Sequence, residues 1–171
     1  FKLIPEIITG LDDDRSLEKR VGELLIKSNT TISTAESLTG GKIAATLVSV
    51  AGSSAYYKGS LVAYSADAKI NLLDVCPKTI KKHTVVSKQV ALEMAKGVKE
   101  KLQTNYAIAV TGNAGPTKGD SDAEVGTVFI AIANKNKVYS EKFMLGNHRS
   151  KVINKAVNKA FEMLLKEIFK N

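Results

Sequence analysis

Between Thr34 and Lys69 the chain reads TAESLTGGKIAATLVSVAGSSAYYKGSLVAYSADAK, dense in hydroxyls and small residues where an ordinary core would hold branched aliphatics. Gly40 and Gly41 open a helix, and Gly52-Ser53-Ser54 close it. A short strand then ends in Tyr64-Ser65, and Lys69 comes next. Hydroxyls, backbone N–H donors and one apolar-flanked lysine are the ingredients of a serine–lysine hydrolase site.

Each of these residues carries a bland reading beside the chemical one. A helix N-terminus at Thr39-Gly40-Gly41 favours an anion, or the glycines only let the helix pack close to a sheet. Neither the phosphate-loop spacing GxxxxGK[ST] nor GxGxxG is present. Ser53 and Ser54 are hydroxyls at a Gly turn, which is also ordinary turn chemistry. Lys69 precedes Ile70, Leu72 and Leu73, so desolvation would free its amine as a base; alternatively it snorkels at the surface. Tyr64 is a proton relay or oxyanion donor, or a half-buried strand residue. Glu36 is a helix-capping anion or an orienter of Lys69. Arg149, one of only three arginines, starts the last helix and suits either a phosphate or a surface ion pair.

The elements that must position these groups are legible from periodicity. A helix is expected over Arg15–Lys27, a strand over Thr30–Thr34 and a helix over Thr39–Val50. A strand at Gly59–Tyr64, a short helix at Asp67–Leu73 and a helical PKTIKKH segment from Pro77 come after. Ser87 caps a long helix to about Leu102. Tyr106–Thr111 is an unbroken apolar strand of the kind covered on both faces. A polar loop, Gly112–Glu124, leads to a hairpin of Val125–Ala133 and Val138–Leu145, and a helix over Ser150–Phe169 closes the chain. Helices between strands imply parallel pairing, and the hairpin adds antiparallel strands. The fold class expected is α/β, a three-layer α/β/α sandwich on a mixed, mostly parallel five-stranded sheet. Residues 15–171 form one domain and residues 1–14 are a lead-in from a preceding domain.

Composition removes several function classes. No apolar run approaches the ~20 residues of a membrane span, and Phe1–Pro5 is too short for a signal peptide. A single Cys76 excludes an internal disulfide and fits a cytoplasmic location. His83, His148 and Cys76 are scattered, so no metal and no cofactor is expected. The net charge of +8 raises nucleic-acid binding, but the lysines spread over several helices and Tyr56, Tyr57, Tyr64 and Tyr106 do not interleave with arginines.

The ordered run of Ala35-Glu36-Ser37-Leu38-Thr39-Gly40-Gly41, Ala51-Gly52-Ser53-Ser54, Gly59, Tyr64-Ser65, Ala68-Lys69, Val86-Ser87, Thr111–Pro116 and Val125-Gly126-Thr127-Val128 resembles a known family. It is similar to the C-terminal domain of the competence/damage-inducible protein CinA, the nicotinamide-nucleotide amidase module. The resemblance covers about Ser16 to the C-terminus. It implies hydrolysis of the carboxamide of nicotinamide mononucleotide to nicotinic acid mononucleotide and ammonia, without a metal. It implies Ser54 as nucleophile and Lys69 as general base, with Tyr64 and Ser37 completing the site. Thr39, Gly40, Gly41, Gly112, Asn113, Gly115 and Arg149 are the substrate-binding residues expected. It also implies a homodimer and an N-terminal domain in a longer chain, which suits the absence of an initiator Met. The family pattern has Cys where Leu38 stands and Ile where Asn113 stands. The alternative is a catalytically weak nucleotide-binding or regulatory module.

Overall fold

A computed structural model describes residues 15–119 and 121–170. The lead-in expected at residues 1–14 lies outside the described residues. In chain order the elements are α1 (Leu17–Lys27), β1 (Ile32–Glu36), α2 (Lys42–Val48), a 3-10 turn (Ser53–Ala55) and β2 (Tyr57–Val62). Then come α3 (Ala66–Leu73), α4 (Pro77–His83), α5 (Lys88–Leu102), β3 (Tyr106–Gly112), β4 (Thr127–Ala133), β5 (Val138–Met144) and α6 (Arg149–Lys170). The first strand runs two residues later than its β-branched run suggests, because Ala35 and Glu36 also pair with β2 and β3.

The sheet order is β2-β1-β3-β4-β5. β1 pairs parallel with both β2 and β3, while β4 and β5 are antiparallel additions. The expected three-layer α/β/α architecture is therefore present. The crossover from β1 leads to β2 on one side, and the crossover from β2 returns past β1 to β3 on the other. The carboxyl end of β1 is thus a switch point, where open α/β sheets form their crevices.

Side-chain alternation splits the core into two layers. Ile32, Ile108, Val110, Val128, Ile130 and Ile132 pack with α1, α2 and α6. On the opposite face Ala35, Ala107, Ala109, Ala131 and Ala133 meet Leu73, Val90, Met94 and Val98 of α3 and α5. Large strand residues on one face and alanines on the other bring α5 close to the sheet.

The seat of α3 on α5 is closer still. A Cβ built at Gly97 of α5 would stand 2.0 Å from the carbonyl oxygen of Leu73, the last residue of α3. Since α3 carries Lys69, this approach fixes the lysine relative to the sheet. Gly97→Ala is expected to lower the unfolding free energy by about 2 kcal/mol, because backbone must move to admit the methyl group. Urea unfolding checks this, and an unchanged midpoint would show that α3 is not seated there.

Candidate active site

Alternation along β1 also decides where its last polar residues go. Thr34 and Glu36 share the α2 face with Ile32, whereas Ser33 and Ala35 face α5, and Ser37 continues that row. Glu36 is fully buried. Its carboxylate accepts from the backbone N–H groups of Gly41 at 3.1 Å, Ile43 at 3.0 Å and Ala44 at 2.8 Å. The orphan donors that open a helix are thereby satisfied from within the chain. Gly41 makes the turn into α2 at φ 97°, a conformation that favours glycine. The anion expected at Gly40-Gly41 is Glu36 itself. Thr39 is buried with its hydroxyl unpartnered among the described residues, and neither it nor the two glycines lines the cleft around Lys69.

Ser37, one residue further, turns the other way. Its backbone N–H donates to Val110 of β3, and its Oγ lies 2.9 Å from Lys69 Nζ. The amine also donates to the carbonyl of Ala63 at 2.8 Å and approaches that of Tyr64 at 3.4 Å. Lys69 is 1 % exposed, and no carboxylate pairs with it among the described residues. Burial lowers its pKa to about 8. A neutral amine has two N–H bonds and one lone pair. Two carbonyls and one hydroxyl at Nζ match that inventory, with the Ser37 hydroxyl donating to the lone pair. Protonated, the amine donates to Ser37 Oγ instead.

Ser54, expected as the nucleophile, is not brought to Lys69. It is exposed in the 3-10 turn just before β2, whereas Lys69 reaches Ala63, just after β2. The ends of a six-residue strand stand roughly 20 Å apart at the ordinary rise per residue. Within this chain Lys69 therefore cannot take a proton from Ser54. The residue it does meet is Ser37, expected only to complete the site. Topology carries the missing signal. In a parallel pair, a residue just before β2 and a residue just after β1 lie at opposite ends of the sheet.

Around Ser37 and Lys69 opens a cleft of about 240 Å³. Its lining includes Leu38, Tyr64, Thr111, Gly112, Asn113, Gly115 and Arg149, so four of the seven expected binding residues, Gly112, Asn113, Gly115 and Arg149, are brought together. Ser65, Val85, Val86, Thr117 and Gly119 also line it and have no role in the sequence reading. Ser65 caps α3 through its side chain, accepting from Ala68 N at 3.1 Å. Arg149, the first residue of α6, donates to the carbonyl of Gly115 at 2.9 Å and to the hydroxyl of Tyr64 at 3.2 Å. It thus ties the β3–β4 loop to the end of β2. Among the described residues no carboxylate lines the cleft, while Lys69 and Arg149 do. The backbone N–H groups of Leu38 and Thr39 have no acceptor among the described residues. Of the two, only Leu38 lines the cleft, directly after Ser37; a free N–H there suits a developing oxyanion.

With this geometry in hand, comparison with known proteins places the chain. The sequence profile of the CinA C-terminal domain matches residues 14–168. The chain belongs to the CinA C-terminal domain family. A CinA-like protein of Flavobacterium psychrophilum is 56% identical over 169 residues, which are 99% of this chain and 40% of that protein. One from Fervidobacterium nodosum is 42% identical, over 92% of this chain and 39% of its own length. The chain thus spans about 40% of the length of the curated CinA relatives it matches. Among solved structures, a CinA superfamily protein from Klebsiella pneumoniae superposes with a TM-score of 0.88 at 32% identity, covering 91% of this chain and 97% of that one. The competence/damage-inducible protein CihA of Agrobacterium tumefaciens gives 0.81 at 34% identity, over 91% and 98%. No described helix of this CinA domain is long and apolar enough to cross a membrane.

The lowered pKa of Lys69 has a thermodynamic consequence. Its folded value, about 8, lies below an unfolded value near 10.4, so burying the amine costs stability in full below pH 8. The cost fades as pH rises from about 8 toward 10.4, because over that window the folded protein has released a proton that the unfolded chain still binds. The unfolding free energy of wild type relative to Lys69→Met is expected to rise by about 3 kcal/mol across that window. Urea titrations of both proteins at several pH values measure it; parallel curves would show that the amine keeps an ordinary pKa.

Proposed function

We propose that this domain hydrolyses the carboxamide of nicotinamide mononucleotide, with Ser37 as nucleophile and Lys69 as general base. The observation that carries the reading is the 2.9 Å contact between Ser37 Oγ and a buried, carboxylate-free Lys69 amine. A lysine whose pKa is about 8 is neutral in roughly one molecule in ten at pH 7, enough to act as a base. Neutral Lys69 takes the Ser37 proton as Oγ attacks the amide carbon. The N–H group of Leu38, which lines the cleft, is the oxyanion donor in this reading. The lysine, now charged, protonates the departing ammonia, and a water resolves the acyl-enzyme by the same base. Ala63 and Tyr64 carbonyls hold the amine throughout.

Substrate charge is consistent with the cleft. Arg149 faces it without a carboxylate partner among the described residues, and it presents a planar fork suited to a phosphate. Tyr64 Oη, already bonded to that guanidinium, orients it. The longer relatives support the further reading that the native protein carries another domain beside this one.

Ammonia release from nicotinamide mononucleotide is the direct assay. Ser37→Ala is expected to lower the rate at least a thousandfold, and Ser54→Ala to leave it within about threefold. The wild-type rate should climb with pH and level off above about 8, as Lys69 loses its proton. Loss of turnover in Ser54→Ala with full activity in Ser37→Ala would sink the assignment. Tight binding without ammonia from wild type would leave a nucleotide-binding module instead.

A further inference from the structure

Asn113 sits just beyond β3, on the crevice side of the sheet. The β1–β3 register pairs Glu36 with Val110, and Ser37 donates its N–H to Val110. Asn113 therefore stands two residues beyond the position opposite Ser37, within reach of a group bound at that hydroxyl. The residue is 8 % exposed and lines the cleft, and both N–H bonds of its amide are used. Nδ2 donates to Ser121 Oγ at 2.8 Å and to the carbonyl of Ala123 at 2.7 Å. The Ala123 oxygen can only accept, so flipping the amide would set two oxygens against each other. The orientation is thereby locked, with Oδ1 on the remaining side.

Oδ1 itself meets no donor among the described residues, and it is not sealed from solvent. It turns toward Gly119, where a Cβ would stand 3.9 Å away; glycine leaves that side uncovered. Gly119 lines the same cleft. The result is a rigid, acceptor-only oxygen on a residue that lines the same cleft as the Ser37 hydroxyl.

We propose that Asn113 Oδ1 is a specificity-determining acceptor that makes the cleft bind a neutral carboxamide in preference to the corresponding carboxylate. A carboxamide donates an N–H to it. A carboxylate has no donor to offer and brings a second negative oxygen to an oxygen that cannot turn away. The same atom thus selects the substrate and repels the acid product, which limits product inhibition. The proposal rests on the amidase reading of the site.

The test measures dissociation constants by calorimetry on the Ser37→Ala protein, which does not consume the ligand. The probes are nicotinamide mononucleotide, nicotinic acid mononucleotide and the 3-acetylpyridine mononucleotide, a ketone of the amide's shape without its N–H. The amide is expected to bind at least tenfold tighter than either analogue. Asn113→Ile should shrink both gaps at least fivefold, and Asn113→Asp should widen the gap to the acid. Equal affinity for amide and ketone overturns the proposal without any change at Asn113, so it stays testable where a variant fails to fold. Unchanged ratios in a folded Asn113→Ile protein overturn it as well, while wild-type ammonia release leaves the amidase reading intact. No binding of any probe, with no ammonia from wild type, overturns both.

Discussion

A lysine amine enclosed by protein, with no carboxylate beside it among the described residues, is the constraint on which the site depends. Lys69 Nζ has the carbonyls of Ala63 and Tyr64 and the hydroxyl of Ser37 for company. Taking an ammonium out of water without a counter-ion is costly, and proteins meet that cost by letting the proton go. The lowered pKa of Lys69 is that response, and desolvation is its cause. Everything that holds the amine in place contributes to it. The parallel pairing of β1 and β2 sets Ser37 beside Ala63, and the close seat of α3 on α5 at Gly97 keeps the lysine from swinging out to solvent.

One residue of strand alternation separates the two charges that would otherwise interfere. Glu36 faces α2 and is consumed by three backbone N–H groups; Ser37 faces α3 and meets the lysine. Had both side chains shared a face, the carboxylate would hold the ammonium charged. The buried carboxylate at the helix start closes α2 without an external anion. The Gly40-Gly41 turn is therefore a structural feature of the fold, and the candidate anion partner in the cleft is Arg149.

The cleft is assembled from segments far apart in the chain. The end of β1 supplies the hydroxyl, α3 the amine, the β3–β4 loop its glycines and Asn113, and α6 the guanidinium. Arg149 joins two of these walls by donating to Gly115 and Tyr64. Asn113 stiffens the loop internally through Ser121 and Ala123. Both residues are at once walls of the cleft and braces of it, so ligand contacts and loop order are coupled there.

The secondary-structure elements arise from local signals. The apolar period of α5 and α6, the Ser87 cap and the continuous apolar run of β3 each specify their structure within a few residues of sequence. The burial of Lys69 and the place of Arg149 in the cleft have local pointers, one in apolar neighbours, the other in its scarcity and place at a helix start. The partner of Lys69 has none. Ser37 and Ser54 are both small-residue hydroxyls near glycines, and nothing local ranks one above the other. Their ranking comes from which end of a parallel sheet each occupies, a property of strand pairing across the chain. The same holds for Glu36, whose role depends on the face it takes, and for Asn113, whose amide orientation is set by loop atoms eight and ten residues on. Sequence alone determined the elements, the family and the list of reactive groups, because periodicity and motif are local. Only the tertiary structure decided which hydroxyl meets the amine, because a 2.9 Å contact between residues 32 positions apart is made by packing.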